Sequence, residues 1–178
     1  MCPNAFLTGG KRGSALNRNP SIFAGREMSD QSAFRMIIVA FDGSADSVKA
    51  MGIACSLAGK YGSELAVVHV FTSPAMGFSA ASGLPIPDYK ALEEAKKAAG
   101  KEVLSKGLEL ASRSGIKPRG ELIEAPSVVE ALVEFAAGEK ADLIVTGTRG
   151  MTGFKKLVLG SVSSGLVNHA HCPVLIVR

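Results

Sequence analysis

Five short, largely apolar runs alternate with stretches of helical character along this chain: MIIVAF (36–41), ELAVVHVF (64–71), GELIEA (120–125), DLIVTG (142–147) and PVLIVR (173–178). Continuous apolar runs rich in β-branched residues suit strands buried on both faces of a parallel sheet. Helices between successive strands imply right-handed crossovers. The expected fold is therefore α/β, an open five-stranded parallel sheet with helices on both faces. Ligands of such sheets bind beyond the carboxyl ends of the strands, where the strand order reverses.

The helices carry their own punctuation. Ser44 or Asp46 can cap a helix running to about Tyr61, with Gly62 placed to end it. Asp88 can cap a long helix with Leu92, Ala95, Ala99 and Val103 on one face, ended by Gly115. Pro126-Ser127-Val128-Val129-Glu130 contains a capping box, and Val129, Leu132, Val133 and Ala136 share a face of the helix it opens. Residues 72–87, TSPAMGFSAASGLPIP, form a loop long enough to be a lid.

Residues 1–35 lack apolar periodicity and read as a disordered N-terminal extension ahead of a folded domain, 36–178. Of the net charge of +4, +3 lies in those first 35 residues, so the basic pI is a property of the extension. A near-neutral body argues against a nucleic-acid surface. The Arg/Ser content of the extension has some likeness to an organelle transit peptide, but a plain flexible tail, or an upstream start ahead of Met28 or Met36, fits its composition better. Three cysteines in no metal-binding spacing suit a reducing cytoplasm, and no apolar run has the length of a membrane span. A cytoplasmic location is expected.

Chemistry concentrates in residues 143–164, LIVTGTRGMTGFKKLVLGSVSS, where strand four leads into a glycine-rich loop and then a helix beginning near Ser161. Glycine allows a backbone to approach an anion closely, and a helix N-terminus offers unpaired amides and the positive end of its dipole. Gly147, Gly150, Gly160 and Ser161 follow the spacing G-x2-G-x9-G-S, and Ser161 and Ser163 add small hydroxyl donors. No GxxxxGK[ST] occurs, and the spacing of Gly147, Gly150 and Gly153 misses the dinucleotide fingerprint. Asp42 follows strand one. If the order reverses between strands one and four, its carboxylate and the glycine loop share a nucleotide-sized crevice, where Asp42 can meet a ribose hydroxyl, an adenine amino group or a metal-bound water. The plainer alternative is that Asp42 turns the chain into the first helix.

These residues resemble the universal stress proteins, whose ATP-binding members carry G-x2-G-x9-G-[ST] after the fourth strand. The resemblance spans about residues 36–178 and includes Asp42-Gly43-Ser44, His69-Val70, the complete Gly147, Gly150, Gly160, Ser161 motif, and the closing segment from His171 to Val177. It implies strand order 3-2-1-4-5, ATP with Mg2+ or Mn2+ in the crevice, and homodimers built through the last strand. It further implies that Ala40, Phe41 and Asp42 border base and ribose, that Val70 touches adenine, and that Thr146 leads into the loop. Gly147, Gly150, Gly160, Ser161, Val162 and Ser163 would wrap the triphosphate. ATP binders of the family often have a small residue or Pro where Ala40 or Phe41 stands, so a base pocket of different shape is expected.

Other residues have structural readings. His69, inside an apolar strand, reads as a core or rim histidine, and His169, His171 and Cys172 read as a helix end and strand start rather than a metal cluster. Cys55 reads as core. Arg149, Lys155 and Lys156 either screen phosphate or are merely solvated. With no general base evident, the function expected is a nucleotide-dependent regulatory or stress-response module that binds ATP, with no catalytic residue assigned and slow hydrolysis left open. Two alternatives stand beside it. Asp42-Gly43-Ser44-Ala45-Asp46-Ser47 partly matches the SGGxDS loop of adenylylating ATP pyrophosphatases, but places a carboxylate where a phosphate cradle needs Ser. A nucleotide-free dimeric interaction protein could use the same fold.

Overall fold

The structure, a computed structural model, describes residues 34–72, 89–150 and 159–178. The expected extension up to residue 33, the helix cap at Asp88, the loop over 73–87, and Gly153, Lys155 and Lys156 lie outside the described residues.

Among the described residues nine elements alternate: β1 (Met36–Ala40), α1 (Ala45–Tyr61), β2 (Glu64–Phe71), α2 (Tyr89–Arg113), β3 (Arg119–Glu124), α3 (Val128–Gly138), β4 (Leu143–Gly147), α4 (Ser161–His169) and β5 (Val174–Val177). The strands form one parallel sheet of order β3-β2-β1-β4-β5. Strand order reverses at β1 and β4, which lie side by side and send their chains to opposite flanks.

The sheet is buried on both faces because its central strands are apolar throughout. Ile37, Val39, Leu65, Val67, Leu143 and Val145 pack with Ala50, Met51, Ala54, Cys55 and Ala58 of α1 and with the inner side of α2. On the other face Met36, Ile38, Ala66, Val68 and Ile144 pack with Leu132 and Ala136 of α3 and Leu166 of α4. Each fully buried Val, Ile or Leu contributes about 1.5–3 kcal/mol of transfer free energy, so the unbroken runs of β1, β2 and β4 anchor both layers. Cys55 sits in the first layer as a small hydrophobe, and burial pushes its thiol pKa upward.

Local signals set the helix ends. Ser44, not Asp46, caps α1, its hydroxyl accepting from the Ser47 amide, while Gly62 ends the helix at φ 67°. Ser127 caps α3 by accepting from the Glu130 amide at 3.3 Å. Gly115 follows α2 at φ 79°, a left-handed position that glycine adopts without a Cβ clash.

The buried face of α2 differs from the one periodicity suggests. Leu92 is 49% exposed, and Ala95 and Ala99 also face solvent. The inner face instead carries Gly100, Val103, Leu104, Gly107, Leu108 and Ala111. A Cβ at Gly107 would lie 2.9 Å from the Phe41 ring and 3.0 Å from Val67, and one at Gly100 would lie 3.0 Å from Leu122. The helix descends onto the sheet where it has no side chains.

The folded body also begins earlier than the sequence boundary at residue 36. Phe34 meets Tyr61 edge-on with ring centroids 5.6 Å apart, and its carbonyl accepts from the Ser63 hydroxyl at 2.6 Å. Asp142 accepts from the amides of Arg35 and Met36 at 2.8 and 3.0 Å.

Candidate functional site

The strand reversal opens a cleft at the carboxyl ends of β1 and β4. Its lining includes all eleven residues expected of a nucleotide site: Ala40, Phe41 and Asp42 from the end of β1, Val70 from β2, Thr146 and Gly147 from β4, Gly150 from the loop, and Gly160, Ser161, Val162 and Ser163 from the start of α4. Val68, Val128 and Leu132 add an apolar wall.

Asp42 does two jobs. Gly43 turns the chain at φ 80°, and the Ser44 amide donates to Asp42 Oδ1 at 3.0 Å, closing a side-chain turn into α1. Oδ2 faces the glycine loop: a Cβ at Gly150 would lie 2.7 Å from it. The carboxylate and the loop thus share the crevice, and the turn-forming reading of Asp42 is true at the same time.

Phe41 reaches the cleft but buries its ring in the α1/α2 layer, against the space Gly107 leaves. Its ring thus lies in the α1/α2 layer while the residue also lines the cleft. His69 fixes the same peptide. Its Nδ1 lies 2.8 Å from the Phe41 carbonyl, which can only accept, so Nδ1 carries the proton. The Phe41 amide donates to the Val68 carbonyl at 2.9 Å, so β2 holds both the amide and the carbonyl of the residue just before Asp42.

The glycine loop is tied down by groups that spacing alone did not reveal. The Thr148 amide donates to Val177 O at 2.9 Å, and its carbonyl accepts from the Gly160 amide at 2.8 Å. The Thr148 hydroxyl donates to Asp46 Oδ2 at 2.7 Å, and the Ser44 hydroxyl donates to the Arg149 carbonyl at 3.2 Å. That hydrogen bond from Thr148, aided by the nearby Lys49 and Arg149 charges and opposed by partial desolvation, holds the Asp46 pKa below its ordinary 3.8. Gly147 makes this approach feasible, since a Cβ there would meet the Asp46 backbone at 2.8 Å and the Ser47 amide nitrogen at 2.9 Å.

At α4 the two serines part ways. Ser163 is 3% exposed and spends its hydroxyl proton on Gly147 O at 2.7 Å and Thr148 O at 3.3 Å. It braces the loop rather than offering a hydroxyl to a ligand. Ser161 is exposed at the first helical position. Gly160 stands at the N-cap with no side-chain cap, so the first-turn amides of Ser161, Val162 and Ser163 open at the cleft with the positive end of the helix dipole. At the other end of α4, His169 occupies the last turn, and Cys172 packs with the α3/α4 layer.

This is an open parallel α/β protein whose glycine loop, uncapped helix N-terminus and strand-end carboxylate gather at the switch point, the place where ligands of such sheets bind. The chain belongs to the universal stress protein family, whose profile matches residues 33–178. It is 35% identical over 149 residues to Universal stress protein MJ0531 of Methanocaldococcus jannaschii, covering 83% of this chain and 84% of that one. A universal stress protein of Thermus aquaticus is 36% identical over 148 residues, 82% of this chain and 99% of its own. Among solved structures, a universal stress protein in complex with cAMP superposes with TM-score 0.61 at 28% identity, covering 83% of this chain and 99% of that one.

Proposed function

We propose that this chain is an ATP-binding regulatory universal stress protein, in which nucleotide occupancy of the cleft biases one conformation or one dimer arrangement that a partner senses. The observation that carries the reading is the convergence of a carboxylate, a glycine loop and an uncapped helix N-terminus on one cleft at the strand reversal. The cAMP complex of a family member supports an adenine nucleotide as the ligand class.

The base fits the apolar wall of Val68, Val70, Val128 and Leu132. Pairing of β1 with β2 ends at Ala40 with Val68, while Val70 has the same peptide orientation two residues further on. The Val70 amide and carbonyl therefore point past the end of β1, and a donor beside an acceptor complements the N1 and N6 edge of adenine. Asp42 Oδ2 suits a ribose hydroxyl, and the first-turn amides of α4 with Gly150 suit phosphate oxygens. No cluster of three or more His, Cys, Asp or Glu able to hold a metal occurs among the described residues. Mg2+ or Mn2+ would be held by phosphate oxygens and water, with Asp42 the carboxylate that lines the cleft.

Titration calorimetry of nucleotide-stripped protein with ATP and Mg2+ tests this reading. Saturable one-site heat is expected, with GTP at least tenfold weaker; no heat with ATP overturns the proposal. A homodimer through β5 belongs to the same proposal, because β5 is an edge strand with backbone groups available to a twofold partner. The chain would act in the cytoplasm. Among the described residues no helix is long and apolar enough to cross a membrane.

A further inference from the structure

Arg149 lines the cleft, yet the sequence motif gives it no part. Its backbone is tied to neighbouring elements. Thr148, just before it, is bonded through amide, carbonyl and hydroxyl, and the Arg149 carbonyl accepts from Ser44. The side chain is a different matter: Nε is buried and has no hydrogen-bond partner. A desolvated guanidinium N–H without an acceptor is costly, and proteins rarely leave one so. The neighbouring carboxylate of Asp46 feels the Arg149 charge but accepts no hydrogen bond from its Nε.

Charge points the same way. The α4 amides and Gly150 are neutral donors, and Asp42 is negative. Each added phosphate brings roughly one more negative charge into a cleft that already holds a carboxylate, and helix-end partial charges amount to about half a unit. Among the described lining residues Arg149 carries the side chain that is cationic at all physiological pH values.

Resting on the nucleotide reading above, we propose that Arg149 is a specificity-determining residue that ranks adenine nucleotides by phosphate number, turning its Nε–H and an Nη–H onto phosphate oxygens that the α4 amides do not reach. The fork geometry of the guanidinium suits two oxygens of one phosphate, which a lysine ammonium cannot match. A held backbone under a side chain whose Nε has no acceptor is what such a clamp needs, because little order remains to be imposed on binding.

The test is calorimetry of wild type, Arg149→Gln and Arg149→Lys with adenosine, AMP, ADP and ATP, with thermal melts showing that each variant is folded. In Arg149→Gln, adenosine affinity should stay within twofold of wild type, while the loss grows with each phosphate and reaches about tenfold or more for ATP. Arg149→Lys should fall between the two. Unchanged ATP affinity in Arg149→Gln overturns the proposal, as does an equal loss for adenosine and ATP, which would mark a structural role. Full recovery by Arg149→Lys overturns the forked contact. A wild type that binds none of the four fails the nucleotide reading itself, a result distinct from a wild type that binds and a variant that matches it.

Discussion

Asp42 and Asp46 lie four residues apart, and their surroundings give them different work. Asp42 turns the chain with one oxygen and faces the glycine loop with the other. Asp46 is a fastening point for that loop through Thr148. Since its folded pKa is depressed, its contribution to stability is present above the ordinary value of 3.8 and is lost as pH falls through the depressed folded value. Thr148→Val removes the main cause, so an NMR titration should find the Asp46 carboxyl below 3.8 in the wild type and closer to 3.8 in the variant. Gly147 is fixed by a backbone clash rather than by phosphate alone. Gly147→Ala should cost about 1–3 kcal/mol in chemical denaturation, because α1 must shift to admit the Cβ. At this scale the sequence showed residues marked by type and spacing, such as Asp42 and the three glycines. It did not show Thr148, the Ser44 to Arg149 bond or the bracing role of Ser163, because hydrogen bonds that reach across 15 to 105 residues leave no local pattern.

The elements were legible where burial and chemistry coincide locally. Apolar β-branched runs mark the strands, while Ser44, Ser127 and Gly62 mark helix ends through bonds made within three or four residues. The inner face of α2 was not legible. Periodicity reads side chains, and this helix packs partly through glycines, which register as gaps in an apolar stripe; the stripe it does show, from Leu92 to Val103, faces solvent as far as Ala99 and packs inward at Val103. Gly107 is matched to Phe41, whose ring a Cβ there would meet at 2.9 Å. Gly107→Ala should therefore destabilise the fold by about 1–3 kcal/mol despite better helix propensity. Ala99→Ser, on the exposed side of the same helix, should change stability by less than about 0.5 kcal/mol in the same denaturation experiment.

In the whole molecule, sheet order turns two distant sequence segments into one site. Because β1 and β4 are neighbours that lead to opposite flanks, Asp42 and Gly150 meet although 108 residues separate them. Alternation of strands and helices already implied such a crevice; its position depended on an order that residue patterning alone leaves open, and that the family resemblance provided. The same topology leaves β5 at an edge. Pro173 O and Val177 O accept from β4 and the loop that follows it, so the peptide groups of Val174 and Ile176 point outward. Ile176→Pro removes an outward donor while sparing the ladder to β4. If the proposed dimer is built through β5, the variant should sediment as a monomer where the wild type sediments as a dimer, and an unchanged sedimentation coefficient would count against that interface.

In the function proposed above, one cleft, built from β1, β2 and the glycine loop with α4, takes an adenine nucleotide by its base edge and its phosphates together. Amide chemical shifts followed during an ATP titration with Mg2+ test it most directly. Val70, Gly150, Ser161, Val162 and Ser163 should move together along one saturable isotherm, with the far ends of α2 and α3 unaffected. Saturating ATP that leaves the Val70 and Ser161–Ser163 amides in place would contradict it.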